Sequence, residues 1–500
     1  MLLDYQIRYG MVSFNTVERE CVAAYQREKQ NVMKFIEGLP GRVSLTLDTR
    51  TSREGLGCYV VITGHFIDGD WKPQQRKLNV AMVPNPDSES ALANAVLRCL
   101  SDWNLEGKLL SVTLNHPAAG EAALQSLQAL LSVQNAVIFD GQLVRGSCIS
   151  RTLTSIAKEL LSACGDLVSK IRDSVKYVLT EESKELMFLD IKQQLQMATD
   201  KNLRLADQNH WNTTYEMLLA ASELREVFSC LEALDPDYKE APSMLEWKQV
   251  ETISSVLQLL VDAANLLSSS SSSSSSTTPA ALACFHEAWK IQSQLSRLAA
   301  IGDPFIDSFI GGLQDRIEKY IKECILVLAA AVVMDPRFKM KLVEFSFAKM
   351  FLHDAPTYIE IVGDGIRQLF WEYKVLHQLD EEKADPKLGI NVDIMEPRRY
   401  PIKSELDVYL DETLLPRVAD FDVLGWWKQN EVRFPALAKM ARDVLCIQVS
   451  AGSAESLFDT RCLPKEMEYG SSVKPETVEA LVCAKDWLRR AAAAAAGGDR

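Results

Sequence analysis

A change in the spacing of apolar residues near residue 41 constrains the fold of this 500-residue sequence more than any other feature. Residues 13–38 carry apolar side chains at helical spacing, and Pro40 and Gly41 end that pattern. Three strand-like segments with recurring apolar and β-branched residues follow, namely Val43–Asp48, Gly57–Ile67 and Lys77–Val83. Short polar turns connect them, so the sequence predicts an antiparallel three-stranded meander.

Helical and strand patterns alternate after the meander. The sequence predicts a helix at 88–103, a short strand at Leu109–Leu114, a helix at 120–131, a fifth strand at Ala136–Phe139 and a long helix at about 152–180. Three strands followed by α-β-α-β-α are typical of a ribonuclease-H-like domain. We therefore expect an α+β fold in which helices return the chain to one mixed sheet.

The rest of the chain is helical in pattern apart from two interruptions. Nine consecutive serines at 268–276 offer nothing to bury and predict a flexible loop, and prolines among charged residues predict a linker at 386–403. The predicted organisation is an N-terminal helical segment (1–40), the first part of the ribonuclease-H-like domain (41–215), a helical insertion domain (216–385), the linker (386–403), a C-terminal helical region (404–490) and a low-complexity tail (491–500).

Charge and cysteine content limit the partners and the compartment. The formal net charge of −14 argues against a protein that coats nucleic acid along its whole surface. A local basic surface is compatible with that charge, and its candidate cations are Lys72, Arg76, Lys77, Arg337, Lys339 and Lys341. The eleven cysteines form no C-x-x-C pair, which is typical of reduced thiols in the cytosol or nucleus. No unbroken run of about 18 apolar residues occurs, so no membrane span is predicted.

Several stretches of the chain together resemble one known family. They are Val43–Asp48 with Gly64–Trp71, Trp211–Tyr215, Met334–Met340, Ser404–Leu410, Phe421–Trp427 and Lys474–Trp487. In this order they resemble the plant sleeper-type branch of the hAT DNA transposases, which are BED zinc-finger proteins derived from transposases. The resemblance implies an α+β fold in which a large all-helical insertion splits a ribonuclease-H-like core. It also implies that a helical C-terminal dimerisation region completes that core.

The family cuts and joins DNA with an Asp-Asp-Glu set that holds two divalent cations about 4 Å apart. By the resemblance, Asp48 matches the first aspartate and Glu455 matches the glutamate. The second aspartate is replaced by Asn115, whose neutral amide cannot neutralise a shared dication. The resemblance therefore predicts a vestigial catalytic site without a tightly bound metal ion. The alternative interpretations of the two acids are a strand-end aspartate and a surface glutamate.

Other positions around the family's active site also differ in this chain. His116 and Pro117 alter the turn that aims the site; His116 is either a replacement ligand or an exposed loop histidine. The family's C-x-x-H element reads Cys148-Ile-Ser-Arg151, with arginine in place of histidine. A BED finger needs a cysteine pair and a histidine or cysteine pair, and Cys21 stands alone upstream of the first strand, so no zinc site is predicted.

Three residues are the candidates for contact with DNA. Trp211 matches a family tryptophan that is thought to stack on an exposed base, and the alternative is an aromatic side chain that anchors the insertion to the core. Arg151 and Lys77 supply positive charge that phosphates attract, and the alternative for each is a solvated surface charge.

The C-terminal region carries large apolar residues close together. The resemblance assigns dimerisation to this region, and tryptophan is enriched where proteins bind each other. The sequence thus predicts a homodimer, or a dimer with a related transposase-like protein, through Trp426, Trp427, Phe434, Leu437 and Met440. The alternative is that the paired tryptophans pack against the helical insertion.

Three hypotheses for the function follow. The first is a non-catalytic, transposase-derived protein that dimerises and associates with DNA in the nucleus. The second is an active cut-and-paste transposase, which Asn115 and Arg151 oppose because both depart from the family's active-site residues. The third is a decayed transposase fragment without a function. The intact apolar spacing from 404 to 490 indicates that this region can fold, and it does not separate the first hypothesis from the third.

Overall fold

The structure, a computed structural model, describes residues 14–51, 58–83, 89–115, 120–133, 138–143, 145–197, 201–207, 210–239, 241–272, 278–384, 403–418, 420–451 and 474–497. One five-stranded sheet has the order β3-β2-β1-β4-β5. Its strands are β1 (Val43–Thr51), β2 (Cys58–Ile67), β3 (Pro73–Val83), β4 (Leu109–Asn115) and β5 (Arg145–Ser147). The first three strands are antiparallel, whereas β4 and β5 run parallel to β1. This mixed sheet confirms the predicted meander and the predicted α+β, ribonuclease-H-like class.

The described α-helices are long in the second half of the chain and shorter around the sheet. They are α1 (Phe14–Glu37), α2 (Glu89–Asp102), α3 (Gly120–Val133), α4 (Ile149–Ala163), α5 (Gly165–Leu179), α6 (Glu182–Gln194), α7 (Trp211–Glu223), α8 (Arg225–Leu234), α9 (Met244–Ser272), α10 (Ala280–Ala299), α11 (Pro304–Glu323), α12 (Ile325–Val333), α13 (Lys339–Met350), α14 (Ala355–Ala384), α15 (Glu405–Asp411), α16 (Val423–Asn430), α17 (Pro435–Leu445) and α18 (Pro475–Gly497).

Ala136 and Val137 of the predicted fifth strand lie outside the described residues, and its last residue, Phe139, is not in a strand. Phe139 instead begins a short 3-10 turn that ends at Gly141, and its backbone N–H donates to the Glu372 carboxylate at 2.7 Å. The true fifth strand, Arg145–Ser147, pairs with β4 at Val112–Leu114. A short apolar run does not reveal whether it forms a strand or another buried segment, and Arg-Gly-Ser pairs through its backbone without apolar side chains.

The predicted helix at about 152–180 is two helices. It breaks at Cys164, whose backbone leaves the helical conformation at φ −105° and ψ 23°, between α4 and α5. Both helices belong to one large helical core that also includes α7 to α17. A few residues of the sheet region, from Ile67 to Leu143, also pack into this core.

Helix α9 differs from expectation at its end and in its composition. It continues through Ser272, so the predicted loop is wrong for the first serines of the run, because extending a formed helix adds one hydrogen bond per residue without new nucleation. Charged residues interrupt its segment Met244–Leu267, which is nevertheless long and apolar enough, by length and composition, to cross a membrane. Half of that apolar window is buried inside the chain, and the core helix of a soluble protein passes the same test.

The C-terminal helix α18 packs on the sheet rather than on the helical core. Its Trp487 is 3% exposed, stacks on Tyr25 of α1 at 5.3 Å between ring centres and meets Trp103 edge-on at 5.8 Å. The Trp487 indole N–H donates to the backbone carbonyl of Lys77 at 2.8 Å. Helix α18 thereby covers the edge strand β3, and α1 packs against α18.

A buried carboxylate joins the sheet to the helical core. Asp443 of α17 accepts a hydrogen bond from the backbone N–H of Arg42 at 2.8 Å and another from the Tyr373 hydroxyl of α14 at 2.5 Å. Burial raises the pKa of Asp443 above its usual range, while these two hydrogen bonds and the Arg42 and Arg442 charges lower it. The pieces that meet here lie about four hundred residues apart in the sequence.

A second contact supports the same joint. The Trp71 indole N–H donates to Glu431 at 3.1 Å, and Arg442 lies over the Trp71 ring at 4.4 Å from its centre. Arg442 also pairs with Glu431 at 2.9 Å. Trp71 is the last residue of the family-like stretch Gly64–Trp71. Its contacts with Glu431 and Arg442 give this turn residue a structural role.

Replacing Gly41 tests the joint, because a Cβ atom there would lie 2.4 Å from the Asp443 carboxylate oxygen. We expect Gly41→Ala to destabilise the chain by about 1–3 kcal/mol, since Asp443 must move away from Arg42. Gly69→Ala is the matched control, because a Cβ atom at Gly69 meets nothing within 4 Å. Denaturant midpoints measure both; equal midpoints for the two variants would show that the close approach at Gly41 is unimportant.

Candidate functional site

The structure brings Asp48 and Asn115 together near the C-terminal ends of the central strands β1 and β4. This side of the sheet is called the Asp48 edge below. They are register partners on the parallel strands β1 and β4, and both are half-buried. The Asn115 amide N–H donates to the Asp48 carboxylate at 3.5 Å, and the Thr49 hydroxyl donates to the Asn115 carbonyl at 3.0 Å. Parallel neighbouring strands that end at the same edge place the residues after them side by side.

The segment that leads towards Glu455 returns to this edge. The Thr113 hydroxyl of β4 donates to the Gln448 carbonyl, and the backbone N–H of Ile149 donates to the Val449 carbonyl at 2.9 Å. The Ser150 and Ser450 hydroxyls are hydrogen-bonded to each other. Residues 446–451 therefore line the edge beside Asn115. Glu455, His116 and Pro117 lie outside the described residues.

The described part of the family's ligand set at this edge is Asp48 and the Asn115 amide. Asp48 contributes one carboxylate, and Asn115 aims an N–H donor at that carboxylate where the family has a second anionic ligand. Two dications need several anionic oxygens to balance their charge. Among the described residues no group of three histidine, cysteine, aspartate or glutamate side chains converges on a metal-sized site.

Arg151 lies in the first turn of α4, next to the returning segment. Cys148, three residues before it, is buried, and its sulfur accepts from the backbone N–H of Ala451 at 3.5 Å. Arg151 itself is exposed; burial of part of its side chain lowers its pKa, and the nearby Cys148 and Glu323 oppose that effect. The family's histidine position thus carries a charged guanidinium beside the Asp48 edge in this chain.

Trp211 does not present its ring to solvent. It is 4% exposed, begins α7 and belongs to the helical core, which agrees with the alternative interpretation of an anchoring aromatic. A base cannot stack on a ring that its own core covers, so the predicted stacking role is wrong for this conformation. The sequence motif around Trp211 does not reveal whether the ring is buried, because burial depends on which helices pack around α7.

Lys77 lies on the edge strand β3, two strands away from Asp48. Its backbone N–H donates to Asp486 at 3.1 Å, and its carbonyl accepts from Trp487, so α18 runs directly along it. The side chain is half-buried there. The structure therefore separates Lys77 from Arg151 and does not bring the two cations onto one surface.

Four of the five residues predicted to contact a second copy are buried in the chain itself. Phe434, Leu437 and Met440 are at most 1% exposed, and Trp427 is fully buried. The Trp427 indole N–H donates to the Met334 carbonyl at 2.7 Å, and its ring lies 5.3 Å from that of Tyr409. The prediction that these side chains form a dimer contact is wrong.

Trp426 is half-buried and meets Trp427 edge-on at 5.0 Å between ring centres. The tryptophan pair packs with Tyr409 and Phe434 at the end of α12, as the alternative interpretation held. Aromatic side chains of this size have to attach a short helix such as α16 to the helical core, because eight residues bury little else. Their clustering in the sequence therefore marks an internal joint.

Sequence reasoning missed the part that Lys339 plays. The sequence predicted a surface cation, but Lys339 is only 3% exposed. Its ammonium group donates to the backbone carbonyls of Tyr409 and Glu412. Burial lowers its pKa, and nearby Glu412 opposes the effect. Arg337 forms a bidentate ion pair with the fully buried Asp335, the closest contact being 2.7 Å. The stretch Met334–Met340 therefore binds the C-terminal end of α15 through Lys339. The sequence signal for this role was Asp335, which lies close to Arg337 and Lys339.

Four segments of the chain match family models of hAT-related or ZBED1 domains. Residues 46–143 match the ZBED1 RNase-like domain, and residues 146–256 match the ZBED1 RNase-like helical domain. Residues 283–373 match the RNase-H fold of hAT-like transposases, and residues 405–488 match the hAT family C-terminal dimerisation region.

Individual relatives agree with these matches. Zinc finger BED domain-containing protein DAYSLEEPER of Arabidopsis thaliana is 51% identical over 97% of this chain and 69% of its own length. Zinc finger BED domain-containing protein RICESLEEPER 2 of Oryza sativa subsp. japonica is 40% identical over 97% of this chain and 70% of its own length. A more distant relative, the Putative AC transposase of Zea mays, is 26% identical over 95% of this chain and 60% of its own length.

Trp427→Ala separates an internal role of the tryptophan pair from a contact with a second copy. We expect the free energy of unfolding to fall by about 3–5 kcal/mol, because a fully buried indole and its hydrogen bond are lost. Val432→Ala is the control, since Val432 is 95% exposed and its loss should stay within about 0.5 kcal/mol. Chemical denaturation measures both. A Trp427→Ala variant as stable as the native chain, yet monomeric, would restore the interface interpretation.

Proposed function

Because the chain belongs to the hAT transposase superfamily, among the BED zinc-finger SLEEPER proteins, we propose that it is a non-catalytic homodimer that associates with DNA in the nucleus. The observation that carries the loss of catalysis is the pairing of Asp48 with Asn115. The scaffold of the family's active site is in place, whereas its second anionic ligand is an amide.

The chemistry of strand cleavage explains why one residue matters so much. A metal ion that activates water and another that stabilises the leaving oxygen must share anionic ligands that balance their charge. Asn115 offers a neutral carbonyl oxygen or an N–H, and its N–H is directed at Asp48. The site therefore holds no resident divalent metal under the proposal, and no cofactor is required.

Dimerisation is supported by the match of residues 405–488 to the hAT family C-terminal dimerisation region. The partner is a second copy or a related transposase-like protein. The structure limits how the dimer forms, because the large aromatic residues of this region are occupied inside the chain. A dimer would need another apolar surface near the same region.

Association with DNA is proposed as a local, electrostatic contact. The net charge of −14 disfavours extended coating, so the contact has to concentrate cations where phosphates can approach. Arg151 is exposed in the first turn of α4, whose Ile149 bonds to the segment that runs beside Asn115. The described cysteines are free thiols, which suits a reducing compartment such as the nucleus.

The absence of cleavage has a direct test. We expect the purified chain to leave supercoiled DNA intact in Mg²⁺ and in Mn²⁺, because Asp48 and Asn115 cannot hold two dications. Asn115→Asp alone should stay inactive, since Arg151 still occupies the family's histidine position. Conversion to nicked circles is read on agarose gels. Metal-dependent nicking by the native chain that Asp48→Ala abolishes would identify an active transposase and contradict the proposal.

The proposed DNA contact has a test in the salt dependence of binding. We expect Arg151→Ala to weaken binding of a short duplex and to lower the slope of log affinity against log salt by about 0.9, the value for one phosphate contact. Fluorescence anisotropy between about 50 and 200 mM salt measures the slope. Arg151→Lys should keep most of the slope. Arg27→Ala, which removes a cation that is 70% exposed on α1, is the control; equal effects of Arg27→Ala and Arg151→Ala would mean that Arg151 makes no particular contact.

A further inference from the structure

The C-terminal half of α14 exposes a stripe of large apolar side chains. Trp371 is 55% exposed, Val375 40% and Leu379 46%, and these residues recur at every fourth position. Residues four apart lie on one face of a helix, so the three side chains form a continuous row. Leu376, 37% exposed, widens the row on one flank. Single exposed apolar residues are ordinary, whereas four on neighbouring positions of one helix mark a candidate interaction surface.

The opposite face of α14 packs into the helical core as far as Tyr373. Val362, Ile366, Leu369, Phe370 and Tyr373 are each at most 4% exposed. The helix is therefore held in place by one face and offers the other to solvent. Lys374 lies over the Trp371 ring at 5.2 Å from its centre, a cation–π contact at the start of the stripe.

The stripe lies next to the matched dimerisation region. The Tyr373 hydroxyl bonds to Asp443 at 2.5 Å, and Asp380 pairs with Lys439 at 2.8 Å, so α14 runs along α17. Helix α17 itself has little to offer a partner, because its apolar residues are buried against α14 and the core. The apolar surface that continues the dimerisation region therefore belongs to α14.

We propose that a second copy of this chain covers the stripe, so that α14 pairs with α14 of the other copy across a twofold axis near Val375. The inference rests on the proposed dimer and adds where its contact lies. A twofold axis that crosses α14 near Val375 sets the two helices antiparallel. Trp371 of one copy then lies against Leu379 of the other, so the two stripes cover each other.

A double substitution in the full chain tests the stripe. Val375→Glu with Leu379→Glu places two charges on the row, and twofold symmetry doubles them in the contact. We expect the native chain to sediment as a dimer at micromolar concentration. The variant should sediment as a monomer, with a dissociation constant raised about 100-fold or more. Circular dichroism and melting temperature should stay near native values, because both side chains are already exposed.

Leu186→Glu with Leu189→Glu is the matched control. These leucines are 60% and 46% exposed on α6, so the variant makes the same chemical change on another helix and should remain dimeric. Val375→Cys gives a second measurement, since a cysteine beside a twofold axis meets its own copy. Mild oxidation should convert Val375→Cys, and not Leu186→Cys, to a disulfide-linked dimer on non-reducing gels.

The possible failures are distinguishable. A native chain that stays monomeric overturns both the dimer and this contact. A native dimer that survives the double substitution, and shows no cross-link through Val375→Cys, overturns the contact and leaves the dimer. A variant that melts far below the native chain and stays dimeric shows that a further segment of the same chain covers the stripe, which also overturns the contact.

Discussion

The buried carboxylate of Asp443 is the interaction on which the rest of the structure depends. It receives the backbone N–H of Arg42 at the start of β1 and the hydroxyl of Tyr373 on α14, so it joins the sheet, the helical core and the C-terminal region in one place. A buried carboxylate is costly unless hydrogen bonds satisfy it, and both of its oxygens are satisfied here. The close approach also requires a residue without a Cβ atom at Gly41.

This joint determines the geometry of the candidate site. Asp443 fixes α17, and the residues just after α17 run to the sheet edge, where Gln448 and Val449 bond to Thr113 and Ile149. The framework around Asp48 and Asn115 is therefore maintained by contacts that do not involve these two side chains. Such a framework does not depend on whether an amide or a carboxylate stands beside Asp48.

Packing inside the helical core also explains why large aromatic residues wrongly suggested contacts with outside partners. Trp211, Trp427 and Phe434 were candidates for outside partners because large aromatic residues are enriched at binding surfaces. Short helices need equally large side chains to attach to a core, and the sequence pattern is the same in both cases. The α14 stripe shows the opposite case: Trp371, Val375 and Leu379 have the spacing of a buried helix face, yet the packing leaves them exposed.

The sequence by itself determined the meander, the α+β class, the family and the change from aspartate to Asn115, because alternating spacing and short motifs are local properties. It could also anticipate that Asp48 and Asn115 lie side by side, since parallel strands end at one edge of a sheet. The position of β5 and the burial of Lys339 and Trp427 were decided by the tertiary structure. So was the exposed face of α14. These features depend on which distant segments pack together, and residues such as Arg42 and Asp443 carry no local sign of the partner they meet.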